Sequence, residues 1–577
     1  MLYPPVTIPG VSYFIRLMGT GRRELSWPCH APQSFFFVVV LLLTCCTAVP
    51  ASPVQDTGVT LNIPEALFPG TPSCSRLSPA SVALTAPGPV SDAFIPPPGV
   101  MPVVILQGGP YEMGYQYGLS VPGYIASVRD AAWASALTRS SYADVIDNCS
   151  IARSYIRSEL PGFDFIAFFN GMTDAMNEQG IPFSENDPIV MHYYGGRQGP
   201  GPDEHCTVFI AGANATGGPL IAAENFDYYP VPSNSYTVLL VMYPDNGHSC
   251  ILPAGAGRTG TNAVINDEGL VFMVSAAPSQ GAGDTGPGIT GFLELPYIGI
   301  TAGSVRDAEP VLINMTRSFA LNHVLADPSG DIKVIEATRA RYATRTPCDT
   351  GTCDYLIATN HYLNPAMKPS QKIWDPLSYY PSSYYRYITA EEMLDAPAGS
   401  FSYADAKMIL SSTSWWDGTG WHRNDPWSSN TINRFRPDFA TLYSFIALPD
   451  EHLVSICSGN PGIPFWGTRA AGQTGTYVNY TVGVPPATFV CNLRTEAEDM
   501  MWNAFIVMEN CPDTPPAARW DAIENRYWEG VWWHDRAVLE KTRSARMVAF
   551  GKAATAYSGV IARAGEIRSA CDNERVA

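Results

Sequence analysis

Residues 206–227 read CTVFIAGANATGGPLIAAENFD, and this stretch decides the fold. A short apolar run, Val208-Phe209-Ile210, follows Cys206-Thr207. A turn spans Asn214 to Gly218, and a second run, Leu220-Ile221-Ala222, ends in Asn225-Phe226-Asp227. The pattern predicts strand, turn, strand. A cysteine opening one strand and a carboxylate closing its neighbour then meet at one end of a hairpin. A cysteine that becomes a chain terminus carries its own base, the free α-amino group, and a nearby Asp can hold the ammonium form. The constellation points to self-cleavage before Cys206, followed by amide-bond chemistry.

Outward from this hairpin, a strand is predicted over 103–106, followed by a Gly108-Gly109-Pro110 turn. Pro110 at a helix start, with Glu112 just inside, marks an N-terminus. Helices are predicted to about residue 178, and 196–205 is a polar approach to Cys206. From 206 to about 275 strands dominate, with a buried one at 236–243. The segments 262–265 and 270–274 flank the turn Asn266-Asp267-Glu268-Gly269. A helical stretch at 293–315 precedes strands at 319–325, 332–335 and 355–359, the last running into Asn360-His361. Residues 377–411 read as helical and 415–427 as a Trp-rich loop. Strands at 440–448 and 453–457 and a helical tail complete the order. Helices, then antiparallel strands with helices inserted, then helices favour a layered α+β architecture over a doubly wound sheet.

The chain has 577 residues, 46% of them hydrophobic, enough for a large core. Net charge is -18, charged residues are 15%, and no Lys/Arg run exists, which argues against nucleic acid or an anionic membrane as partner. Residues 35–46 are an apolar core, with Arg16, Arg22 and Arg23 upstream and Val49-Pro50-Ala51 after them. This is the anatomy of a secretory signal, with an uncleaved anchor as the alternative. The core is short for a span of roughly 20 residues. The expected division is a signal segment (1–51), a Pro/Ser-rich linker or propeptide (52–100), a mostly helical segment (101–205), a catalytic core (206–492) and a helical extension (493–577). Secretion, or a lysosomal or vacuolar lumen, implies disulfides. Cys348 and Cys353 can close a small loop, whereas a nucleophilic Cys206 must keep its thiol. No CxxC or HxxxH spacing calls for a metal, and no phosphate-binding loop appears, so no cofactor is expected. Sequons at Asn148, Asn214, Asn314 and Asn479 fit the same compartment.

The segment Gln107-Gly108-Gly109-Pro110-Tyr111-Glu112-Met113-Gly114-Tyr115-Gln116-Tyr117-Gly118 resembles an N-terminal signature of the isopenicillin N acyltransferase-like family of N-terminal-nucleophile (Ntn) hydrolases. Cys206-Thr207 resembles the new N-terminus that the family makes by autoproteolysis. Asn225-Phe226-Asp227 resembles its Asn-aromatic-Asp, and Thr359-Asn360-His361 its Thr-Asn-His. Ala440-Thr441-Leu442-Tyr443 resembles a strand that follows a functional Arg. The resemblance covers roughly residues 103–457. It implies a four-layer αββα sandwich, here with an additional helical C-terminal region, and an α/β heterodimer after cleavage. It further implies Cys206 as nucleophile and Asp227 as the holder of its amine. Asn360 would be an oxyanion donor, Asn225 a further site residue, and an Arg would complete the site. Departures are His205 where Gly is common, Asp438 where the Arg is usual, and Glu224 where some relatives carry Arg. Arg436, then Arg434, are the nearest candidates for the Arg.

Bland readings stand beside these. Cys206 can be a disulfide partner, Asp227 a turn cap, Asn360 a loop residue and Arg436 a surface charge. A Cys-His pair with His205 or His361 is a weak rival, because adjacent strand residues face opposite ways. Trp415, Trp416, Trp421 and Trp427 either line an acyl pocket or pack in a loop. The leading expectation is a cysteine amidohydrolase acting on a small amide or N-acyl substrate. An acyltransferase and an inactive secreted glycoprotein are the alternatives.

Overall fold

The turn after the first strand behaves as its residues dictate. Gly108 takes φ +126, a conformation that side chains resist, and Pro110 sits in the first turn of the helix that follows. The computed structural model describes residues 100–576 apart from 195–205, 230–235, 282, 351–352, 373–379, 396–397, 426, 437–438, 463–475 and 510–516. The expected signal and most of the linker, together with His205 and Asp438, lie outside the described residues.

Strand β1 (Val103–Gly108) leads into α1 (Pro110–Ser120), α2 (Pro122–Leu137), α3 (Tyr142–Glu159), α4 (Phe165–Glu178) and α5 (Asp187–Tyr193). Next come β2 (Thr207–Ala211), the single turn α6 (Ala213–Thr216), β3 (Ile221–Tyr228), β4 (Thr237–Pro244), β5 (Cys250–Gly255), β6 (Ala263–Asn266) and β7 (Val271–Ala276). Helices α7 (Gly291–Thr301) and α8 (Val305–Asn314) precede β8 (Leu321–Ala326), β9 (Ile332–Ala337), β10 (Tyr342–Arg345) and β11 (Tyr355–Ala358). Then follow α9 (Tyr380–Leu394), α10 (Tyr403–Leu410), β12 (Trp415–Trp416), β13 (Trp421–His422), β14 (Ala440–Leu448), β15 (Leu453–Ser458) and β16 (Tyr477–Thr481). The chain closes with α11 (Pro486–Glu509), α12 (Ala517–Leu539) and α13 (Arg543–Val576).

An eight-stranded sheet has the order β1-β4-β5-β6-β7-β8-β9-β10, and a six-stranded sheet the order β11-β2-β3-β14-β15-β16. Only the β1–β4 pair within them is parallel. Strand alternation distributes each run over two cores. Val208 and Ile210 of β2, with Leu239 and Val241 of β4, share one apolar layer between the sheets. Val238, Leu240 and Met242 face the opposite way, against helices α1–α5, α7 and α8. Phe209 and Ala211 turn to α9 and α10. Both faces are dry, which is why β2 and β4 read as continuous apolar runs rather than alternating ones.

The Gln107–Gly118 signature is structural. The buried Gln116 side chain closes two bonds with the end of β1: Gln107 N–H donates to Oε1 at 2.7 Å, and Nε2 donates to the Gln107 carbonyl at 2.8 Å. A Cβ at Gly114 would lie 1.8 Å from the Phe168 carbonyl oxygen, so α1 and α4 cross at van der Waals distance only because glycine is there. At the other end of the chain, α13 packs on both β1 and β16, the edge strands of their sheets. Its Thr555 Oγ1 accepts the Val103 N–H at 2.8 Å. Phe550, Ala554 and Tyr557 of α13 join the apolar layer between the sheets.

Some expectations needed refinement. The helical stretch at 293–315 is two helices, α7 and α8. The turn at 214–218 contains one helical turn closed by Gly217 at φ +68. Strands β5, β10 and β16 were not anticipated; β5 carries Pro253 and ends on Gly255, which sequence reading takes for turn residues.

Candidate active site

Cys206 sits immediately before β2, 1% exposed, with its side chain in the layer between the sheets. It belongs to no disulfide; Cys348 and Cys353 do pair, as their spacing implied. The facing sheet supplies a donor. Asn262, at the start of β6, points its amide Nδ2 at Cys206 Sγ at 2.8 Å and at the Val274 carbonyl at 3.2 Å. Sequence reading missed Asn262 because an Asn between a glycine-rich stretch and a strand looks like any turn residue.

Across the strand, Thr207 faces the other way and meets Arg386 of α9. This fully buried guanidinium donates to the Cys206 carbonyl at 2.5 Å, to Thr207 Oγ1 at 3.0 Å and to Asn360 Oδ1 at 2.6 Å. One planar fork therefore ties the residue before β2 to Asn360, two residues past the end of β11. Asn360 in turn donates Nδ2 to the Ala276 carbonyl at 2.8 Å, and its N–H reaches Ser383 Oγ at 2.8 Å. Arg386 was also missed: it lies within Tyr384-Tyr385-Arg386-Tyr387, which resembles no motif.

Thr207 pairs with Asn225 in the β2–β3 register, which sets Asp227 two residues further out on β3, at the Cys206 end of the hairpin. Asp227 is fully buried. Its Oδ1 accepts from Thr441 Oγ1 at 2.6 Å, and its Oδ2 lies 3.5 Å from Arg434 Nε. Burial pushes this carboxyl up to about 7, against the opposing pull of Arg434, Arg386 and the Thr441 hydroxyl. The arginine that pairs with Asp227 is thus Arg434. Arg436 sits half-buried at a turn where its backbone pairs with Phe439. Asn225 spends its amide on fold: Nδ2 donates to the Leu410 carbonyl at 2.8 Å and the Ile432 carbonyl at 3.1 Å, and Oδ1 accepts from Ser444.

His361 is held from α9. Its Nδ1 lies 2.7 Å from Ser383 Oγ, and burial, helped by Arg345 and Arg386, lowers its pKa to about 3, so the ring is neutral. A cavity of about 480 Å³ adjoins Asn262 and is lined by Phe226, Tyr228, Val274, Ala276 and Phe292. The loop before α7 contributes Thr285 to Gly288 to this wall. The Trp-rich loop packs on itself instead: Trp415 stacks on His422 at 3.9 Å, beside α9. His248, Asp267 and Glu268 cluster at the β6–β7 turn with ligand atoms close enough for one ion.

Residues 214–462 match the model of the acyl-coenzyme A:6-aminopenicillanic acid acyl-transferase family, the family that the motifs resemble. The match spans Asp227, Asn262, Asn360, Arg386 and Arg434. A curated relative, an uncharacterized protein of Archaeoglobus fulgidus, is 21% identical over 355 residues, 53% of this chain and 56% of its own length. The chain thus spans about half the length of that relative. Among solved structures, penicillin V acylase from Agrobacterium tumefaciens aligns at 15% identity over 44% of this chain and 82% of its own, with TM-score 0.29. A Caenorhabditis elegans ortholog of N-acylethanolamine-hydrolyzing acid amidase aligns at 16% over 42% and 93%, with TM-score 0.28. A conjugated bile acid hydrolase from Clostridium perfringens aligns at 11% over 48% and 99%, with TM-score 0.29.

Proposed function

We propose, with the acyl-transferase family match over residues 214–462 as premise, that this chain is a self-processed cysteine Ntn enzyme of αββα architecture that hydrolyses a linear amide through an acyl-enzyme. The observation that carries the reading is the Asn262 amide held 2.8 Å from a buried Cys206 thiol. In the first event the sulfur attacks the carbonyl preceding Cys206, the acyl group moves from nitrogen to sulfur, and water releases it. That leaves Cys206 with an α-amine, whose ordinary pKa near 8 suits a base at neutral pH. The amine then takes the thiol proton, sulfur adds to the substrate carbonyl, and the same proton leaves with the departing amine. Water hydrolyses the thioester.

Asn262, with the Asn360 amide N–H not committed to Ala276, is the proposed oxyanion donor set. Asp227 would hold the ammonium, whose charge would add to that of Arg434 and draw the carboxyl down from about 7 towards its charged form. Arg386 would fix the Cys206 carbonyl, so that the amine and the sulfur keep one geometry. The cavity beside Asn262, walled by Phe226, Val274, Phe292 and Leu321 with Asn148, His192 and Arg258 among them, suits an acyl group that carries a polar end. A luminal or secreted location is supported by the Cys348–Cys353 disulfide and by exposed sequon residues Asn148, Asn214 and Asn314.

Intact mass of the protein with and without Cys206→Ala tests the reading. Two fragments split before Cys206 are expected for the parent and one chain for the variant; an active protein of undivided mass overturns it. The matched family's printed name favours a second outcome, transfer of the acyl group to an amine. Partition of product between water and an added amine separates the two.

A further inference from the structure

The six-stranded sheet carries a second buried carboxyl for which the reaction above has no part. Glu224 lies on β3 three residues before Asp227, so alternation turns it to the opposite face, the one shared by Cys206 and Phe226. In register it faces Val208 of β2 and Phe445 of β14. It is fully buried, and among the described residues neither of its oxygens has a hydrogen-bond partner. Leaving such a carboxyl ionised is expensive, and leaving it neutral is not. The groups that face it are few. Asn262, from the opposite sheet, is the amide that donates to Cys206 Sγ at 2.8 Å, and the same side chain acts on the carboxyl. Tyr443 of β14 has its hydroxyl on Thr261 Oγ1 at 2.5 Å and feels both Glu224 and Cys206. Asp227, on the same strand, adds a like charge. Arg386 and Arg434 serve the far face, at Cys206 O, Asn360 and Asp227.

We propose that Glu224 is a positioning residue that, while protonated, leaves the Asn262 amide to the sulfur, and whose ionisation raises the pH at which the thiolate forms. The proposal rests on the reading of Cys206 as nucleophile. While the carboxyl is neutral, Asn262 Nδ2–H has the sulfur as its charged acceptor. When Glu224 gives its proton to solvent, the carboxylate competes for that same N–H and adds negative charge on the sulfur's face. Both changes oppose a thiolate. Burial holds the Glu224 pKa well above the usual carboxylate range; the Asn262 amide opposes this and Asp227 reinforces it.

The test is the rate at which iodoacetamide alkylates Cys206 in the processed protein, read by peptide mass from about pH 5 to about pH 10, a range that brackets an ordinary thiol. In Glu224→Gln the midpoint of reactivity is expected to fall by about one unit or more, the separation typical of strongly coupled sites. Glu224→Asp, which keeps a carboxyl, should stay near the parent. Superposable profiles for parent and Glu224→Gln overturn the proposal and leave the nucleophile reading standing. A parent whose Cys206 is never alkylated overturns both. Should Glu224→Gln fail to fold, infrared difference spectra in the Asp227→Asn background decide instead. A protonated-carboxyl band that vanishes with the alkylation midpoint supports the proposal, and its absence at neutral pH overturns it.

Discussion

At the scale of single residues, the surroundings of Cys206 are set by the Asn262 amide and the Arg386 guanidinium. Removing the Asn262 amide takes one donor from the sulfur's face. Asn262→Ala is expected to lower turnover of any accepted amide about 100- to 1,000-fold, and to lower stability by about 1–3 kcal/mol because the Val274 carbonyl loses its donor, a pairing that activity and calorimetry check together. Arg386 is different, because its loss strands three acceptors in a dry interior: the Cys206 carbonyl, Thr207 Oγ1 and Asn360 Oδ1. Bonds to a charged donor contribute about 1.5–3 kcal/mol each, so Arg386→Ala should lower stability by several times that of a surface change, with Arg386→Lys recovering part of it in a urea titration. Asp227 makes the unprocessed chain acid-loving. Its folded pKa of about 7 lies above the unfolded carboxylate value near 3.9, so the folded state binds the extra proton between them. Stability of the Cys206→Ala precursor should therefore fall as pH rises from about 4 to about 7, and Asp227→Asn should flatten that slope in thermal melts. A newly formed ammonium beside Asp227 would lower that pKa and shrink the slope in the processed protein.

At the scale of elements, the sequence spoke most clearly where a residue type has one local meaning. Pro110 opened α1 and the Asn266–Gly269 turn joined β6 to β7, with Gly269 at φ +79. It was silent where the deciding partner is remote. Arg386 bonds a carbonyl 180 positions away, and no local pattern marks a helix residue for that task. Asn262 is chosen by the sheet opposite, and Arg434 rather than Arg436 meets Asp227 because Arg434, not Arg436, lies buried beside Thr441. Asn225, read as a site residue, proves to be a brace between β3, the end of α10 and residue 432. The glycine spacing in the 107–118 signature likewise reports helix contact rather than chemistry. Gly114→Ala would drive a methyl into the Phe168 carbonyl, and overpacking of this kind costs about 1–3 kcal/mol. A drop in melting temperature with unchanged cleavage before Cys206 is the expected pair of readings.

At the scale of the whole molecule, β1 comes from the segment before Cys206 yet is an integral member of the eight-stranded sheet, clamped between β4 and α13. Cleavage before Cys206 should therefore leave two pieces that migrate together through gel filtration and separate only in denaturant. Thr555→Val removes the acceptor of the Val103 N–H and should lower the denaturant midpoint for that separation, by about 1–3 kcal/mol for a buried donor left unmatched. The same helix lies along β16, so two rows of main-chain hydrogen-bonding groups, one per sheet, share a single cover. A variant stripped of that cover would bare both rows at once. Its fate would be to stack copy upon copy through strand addition, so that loss of the tail would announce itself as fibrous precipitation before any assay of turnover could be run.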